Sequence, residues 1–280
     1  MTMFRKTLCA VAAFAACASG TWAADWSDTS IGYRTSNKYA EPFNTKDITK
    51  NIYNFNHASG YAMGSNFFNV DLLYSDSNDP GGAGSTNGAQ EAYIVYRHML
   101  DLSKVTGNKI AFGPVRGMGL TAGFDANAKT DAGYNSKKRM LVVGPTFMMD
   151  VPGFLNVSVL LLQESNAPYN TFSKVSTPRY TYKTHPMIGA AWGIPLGNGF
   201  AFEGFANFIA SKGKNEFGAA TAAETNIDGQ IMYDLTGGKK TAKVGFEYQY
   251  WKNKFGNDAS GAAGKGAFAK TPMIRAEYHF

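Results

Sequence analysis

Cysteine is almost missing from this chain. There are two, Cys9 and Cys17, and both fall within the first twenty residues. Whatever follows them has no thiol, which excludes a disulfide-stapled secreted scaffold and a thiolate metal site. No stretch of eighteen apolar residues follows either, which excludes a membrane-spanning helix. Charged residues make up only 17% of the chain, and no run of five or more basic residues occurs. That argues against nucleic acid as a partner. The four histidines, His57, His98, His185 and His279, are scattered and suggest no metal cluster. Gly-x-Ser-x-Gly is absent, and Gly81-Gly82 lacks the strand-to-helix setting of a phosphate loop. No cofactor is expected.

The first 24 residues read as a secretory signal peptide. Arg5 and Lys6 precede an apolar run, Leu8 to Ala16, too short to span a bilayer. Small residues follow, and cleavage is expected at Thr21-Trp22-Ala23 or one residue later. A competing reading is lipoprotein processing at Cys17, although Phe14 stands where that motif usually has Leu. The remaining 25–280 would be one domain. With Arg5 and Lys6 removed from the 27 basic residues, 25 remain against 21 acidic ones, a net charge near +4.

What the chain has in quantity is glycine (31 residues), aromatics (14%) and side chains that alternate with period two. Val244, Phe246, Tyr248 and Tyr250 oppose Gly245, Glu247, Gln249 and Trp251. Ile227, Gly229, Ile231 and Tyr233 oppose Asn226, Asp228, Gln230 and Asp234. Such segments of about ten residues suit tilted membrane strands. Twelve are read: 26–35, 47–58, 65–75, 90–100, 115–125, 139–149, 154–163, 183–194, 200–211, 223–234, 241–252 and 272–280. Short turns are expected at Ser59-Gly60, Asp150 to Gly153, Pro195 to Gly199 and Leu235 to Lys240. Long polar loops alternate with them at 36–46, 76–89, 126–138, 164–182, 212–222 and 253–271. Short periplasmic turns, long external loops and an even strand number predict an all-β fold, a closed antiparallel transmembrane β-barrel of the bacterial outer membrane. The connection 101–114 is long where a short turn is expected. Pro145 and Pro186 interrupt strands, where bulges or strand ends would accommodate them.

The C-terminal segment alternates too. Ile274, Ala276, Tyr278 and Phe280 form one face, and Arg275, Glu277 and His279 the other. A terminal Phe with an aromatic two residues before it resembles the strand that the barrel-assembly machinery recognises.

Several short motifs resemble the nucleoside-specific channel family, the Tsx-like outer-membrane proteins. They are Asp25-Trp26, Glu41-Pro42-Phe43, Ile48-Thr49-Lys50, Gly64 to Asp71, Ile110 to Pro114 and the terminal strand. The resemblance implies a monomeric twelve-stranded barrel with a narrow pore and weak nucleoside sites along it. The count of twelve leans on this resemblance as well as on the spacing. Glu41 and Phe43 become candidates through it alone, in a loop that would fold into the mouth.

Alternation places Arg34, Lys50, Asn69, Asp71, Glu91, Tyr93, Arg97, Glu203, Asn207, Asp228, Gln230, Glu247, Gln249, Trp251, Arg275 and Glu277 inside. Among them Arg34, Asp71, Glu91, Tyr93, Arg97, Asp228, Gln230, Glu247 and Trp251 are the expected pore-lining residues. A base can stack on Tyr93 or Trp251, and sugar hydroxyls suit the carboxylates and amides. Charges inside a small barrel also pair with one another and fill it, so each of these has a purely structural alternative. Two other functions compete with passage of small polar solutes. One is an adhesin or receptor that uses the long loops. The other is a lipid-modifying barrel enzyme built on pairs such as His57 and Ser59, which lie in no nucleophile motif.

Overall fold

The structure is a computed structural model that describes residues 24–170 and 174–280. The expected leader and its cleavage point, up to Ala23, lie outside the described residues. Twelve long strands form the wall: β1 (Trp26–Tyr39), β2 (Ile48–Tyr61), β3 (Gly64–Ser75), β4 (Gln90–Asp101), β5 (Val115–Lys129) and β6 (Arg139–Met149). They continue as β7 (Phe154–Asn166), β8 (His185–Gly197), β9 (Phe200–Ile209), β10 (Glu224–Asp234), β11 (Ala242–Lys252) and β12 (Phe268–His279). Each pairs antiparallel with its sequence neighbours, and β12 returns to pair with β1, Ser30 opposite His279 and Arg34 opposite Arg275. The sheet therefore has no edge. In lipid this is what leaves no backbone N–H or C=O without a partner.

All twelve expected strands are present, and several run further than alternation suggested. β1 reaches Tyr39, β5 reaches Lys129 and β7 reaches Asn166. The turn expected at Ser59-Gly60 lies instead at 62–63. Ser59 and Gly60 stay in the ladder, opposite Ser27 and Trp26 on one side and Asn66 and Ser65 on the other. Gly60 reads as a turn residue in sequence, but its role is to make room for the Trp26 indole. A Cβ there would sit 2.1 Å from Nε1 of that ring.

The long connection after β4 holds a helical turn, α1 (Leu102–Thr106). Asp101 caps it by accepting from the backbone N–H of Ser103 and Lys104, and Gly107 ends it at φ 71°. Pro186 sits at the start of β8, as a strand end allows. Pro145 lies inside β6, where the pairing with β7 passes from Val143–Leu161 to Thr146–Ser158 in unbroken register. The missing N–H falls in that gap, and no bulge forms.

The register sorts side chains onto two faces. Phe246, Ile274, Ile231 and Leu161 are half to three-quarters exposed on the outside, whereas Lys50, Asp228, Glu247 and Glu164 are buried inside. An apolar exterior around a charged interior is the reverse of a soluble protein, and it places the barrel in the outer membrane with its strands across the bilayer. No helix among the described residues is long and apolar enough to cross one. The interior is not polar throughout. Val142, Leu160, Leu162 and Met187 pack inside β6–β8, and Tyr39, Ile48, Ile52 and Met273 pack across β1, β2 and β12. Twelve strands enclose a lumen narrow enough for side chains from the wall to meet.

Candidate functional site

Among the described residues, most of the interior charges fall into three groups. The first spans the seam between β12 and β1. Arg34 and Arg275 stand directly opposite each other, a repulsive placement for two cations. Glu247 on β11 offsets it by contacting both, at 3.5 Å and 2.9 Å. Asp71 on β3 pairs with Arg34 at 2.7 Å, and Glu277 pairs with Arg275 at 2.6 Å. Asn54 donates to Asp71 at 2.9 Å, and Gln249 donates to Asp228 at 3.2 Å. Gln230 donates to Glu203, which also receives Lys243 at 3.0 Å. The expected residues Arg34, Asp71, Asp228, Gln230 and Glu247 are thus all inside, and all held by partners.

The second group lies on β3, β4 and β5. Arg97 lies over Gly123, pairs with Asp125 and donates to the carbonyls of Tyr96 and Phe124. Tyr93 donates to the same Asp125 at 3.2 Å. Phe67 is opposite Arg97 in the ladder and so faces inward, yet it is 38% exposed. Phe205 on β9 shares a row with Asp228, also faces inward, and is likewise 38% exposed. Neither Phe was expected to line the pore. Phe67 shares the parity of Asn69 and Asp71, and Phe205 that of Glu203 and Asn207, so the period held the signal and their apolar character masked it.

The third group fills the end that bears the long loops. Glu41, in the loop 40–47, accepts from Lys50 of β2 and from Lys254 at 3.1 Å, with Lys129 of β5 at 3.6 Å. Asp79, in the loop 76–89, receives Lys129 at 3.1 Å and Lys50 at 3.6 Å. Glu91 accepts from Asn127, which in turn accepts from Ser136 at 2.6 Å. Trp251 donates its indole N–H to Glu224 at 2.6 Å, and Lys254 lies over its ring at 4.7 Å. Glu164 holds Lys212 at 2.7 Å and Lys138 at 3.2 Å. Burial alone would raise the Glu41 carboxyl, but Lys129, Lys254 and Lys50 hold it well below the usual carboxylate range. At Lys254 burial wins and lowers the ammonium despite Glu41.

The two loop candidates part company here. Glu41 folds into the mouth as expected. Phe43 does not: it is 71% exposed, with a left-handed φ of 65°, and its backbone N–H donates to Ala263. Two residues along a tight turn suffice to reverse a side chain. Lys129, Lys138, Lys212, Lys254, Asp79 and Glu164 were not expected as interior residues. Lys129 and Glu164 continue the inward parity of Asn127 and Leu162 past the bounds read from sequence, so that periodicity held the signal for them. The rest come from loops, for which no periodicity exists.

These features define a class, the closed twelve-stranded outer-membrane β-barrel with a charged lumen. No family model and no curated protein matches the chain. Among solved structures it is similar to the KdgM porin, with 10% identity, 90% of this chain and 99% of that chain covered, and a TM-score of 0.43. It is also similar to the translocator domain of autotransporter NalP from Neisseria meningitidis, with 12% identity, 100% and 95% covered, and a TM-score of 0.44. The outer membrane protein opdK from Pseudomonas aeruginosa matches at 10% identity over 92% and 99%, with a TM-score of 0.26.

Proposed function

We propose that this barrel is a passive channel for small polar solutes and that nucleosides are the class it favours. The observation that carries the reading is a pair of inward, solvent-accessible rings, Phe67 and Phe205, each 38% exposed. Six strand positions of the twelve-strand ring separate β3 from β9, so the two rings belong to opposite walls. Tyr93, Arg97 and Asp125 flank the β3 side. A nucleoside presents a flat base and a hydroxylated sugar, which is what a ring beside carboxylate and amide groups can receive. Stacking contributes about 1–3 kcal/mol per base, weak enough for the solute to leave again. The motifs shared with Tsx-like channels point the same way. The chain is proposed to act as a monomer and to enter the assembly machinery through β12. There Phe280 is exposed beside Tyr278, and its N–H is tied to Thr29 at 2.9 Å.

The test is single-channel conductance in planar bilayers. Wild-type protein should show small currents that adenosine and uridine reduce and that glycine leaves alone. Phe205→Ala should weaken the reduction by roughly 5- to 150-fold in concentration, the equivalent of losing one stacked ring. Currents indifferent to every nucleoside would remove the substrate and leave the channel. Liposome swelling that fails for all solutes would remove the channel as well.

A further inference from the structure

Glu41 is reached by three ammonium groups that come from well-separated parts of the wall. Lys50 belongs to β2, Lys129 to β5, and Lys254 to the 3-10 turn Lys254–Gly256 between β11 and β12. β5 and β11 are six positions apart in the ring, so the carboxylate bridges opposite walls. All four side chains are at least nine-tenths buried. Lys254 also donates to the carbonyl of Ala40 at 2.9 Å. Gly266 of the β11–β12 loop lies so close to the Glu41 and Asn44 carbonyls that a Cβ there would be 2.0 Å and 2.3 Å from them. Phe255 lies between Lys254 and Lys138, with its ring 5.2 Å and 4.1 Å from their ammonium groups. The β1–β2 and β11–β12 loops, neighbours across the β12–β1 seam, therefore meet inside the barrel at Glu41, and Lys129 ties that carboxylate to the far wall, where Asp79 of the β3–β4 loop shares Lys129 and Lys50 with it.

Three converging ammonium groups form an anion site. Here Glu41 of the same chain fills it, with Asp79 beside two of the three lysines. We propose that Glu41 is the selectivity plug of this pore: its carboxylate occupies an anion site built by Lys50, Lys129 and Lys254, and its loop closes the mouth while it is held there. With the plug released, the same three lysines line the path and take a carboxylate or phosphate group from a solute. Rings of fixed charge at a constriction set which ions pass. The inference rests on the channel reading.

Two variants separate closure from selectivity. Glu41→Gln and Lys254→Met both break the tie, and both should raise single-channel conductance several-fold over wild type. Their reversal potentials under a potassium chloride gradient should move in opposite directions, toward anions for E41Q and toward cations for K254M. Inorganic phosphate added on the long-loop side should reduce the E41Q current and leave the K254M current unchanged. Altered gel mobility on heating reports that each barrel has closed. Wild-type conductance in both variants would overturn the proposal, and so would increased conductance with reversal potentials that shift together. Absence of current in wild type and variants alike would instead count against the channel itself.

Discussion

A buried carboxylate survives only when its neighbours offset the loss of water, and Glu41 shows how strongly three lysines do so. Its folded-state pKa lies below the ordinary value, so the attachment it provides is complete above the usual Glu range. It is lost only as pH falls through the depressed value. Wild-type conductance should accordingly stay flat from pH 7 down through the ordinary carboxylate range and rise only in more acid solution than that. The E41Q variant should lack that rise. A rise beginning between pH 5 and 6 would mean that the lysines do not hold Glu41 in its ionised form. At this scale the sequence is read unevenly. Arg34, Asp71, Asp228 and Glu247 follow from parity alone, because a strand leaves a side chain two choices. Glu41 and Phe43 sit in a loop, where parity has no meaning, and resemblance treated alike two side chains that the backbone sends in different directions.

Within the strands, glycine decides how closely neighbours approach. On the outer surface the Trp192 indole lies over Gly204 of β9 and close to Gly229 of β10, and it packs on Phe202 with ring centroids 5.4 Å apart. A Cβ at Gly204 would meet the backbone carbonyl of Asp228 at 2.2 Å and the indole at 2.7 Å. At Gly229 the nearest atom would be the edge of Phe202 at 3.3 Å, a side chain free to yield. Gly204→Ala should therefore cost about 1–3 kcal/mol and Gly229→Ala much less. Urea unfolding followed by tryptophan fluorescence would measure both, and equal costs would show that the carbonyl contact does not limit the fold. Strand positions were legible because period two persists wherever one face meets lipid. Strand ends were less so. Ser59-Gly60 and Lys129 look like connection from composition, but ladder pairing and buried ion pairs carry the strand through them.

For the molecule as a whole, closure is what allows an apolar exterior to coexist with so many charges. Lipid-facing Phe246 is 76% exposed in the middle of β11, and three residues on, Gln249 faces the lumen beside Asp228. Arginine at the bilayer midplane costs about 2–4 kcal/mol, so Phe246→Arg should lower stability by that order when unfolding is followed in lipid vesicles. Gln249→Arg should cost far less, because water and a carboxylate receive it. A similar cost at both positions would contradict the assignment of inside and outside.

The amino-acid order by itself determined the strands, their two faces and the alternation of short and long connections. Each depends on interactions between residues close in the chain and on a solvent that differs between the faces. Only the tertiary structure decided which charges meet. Glu41 and Lys254 are more than two hundred residues apart and touch because β12 closes on β1, and contacts across a lumen have no period along the sequence from which to read them.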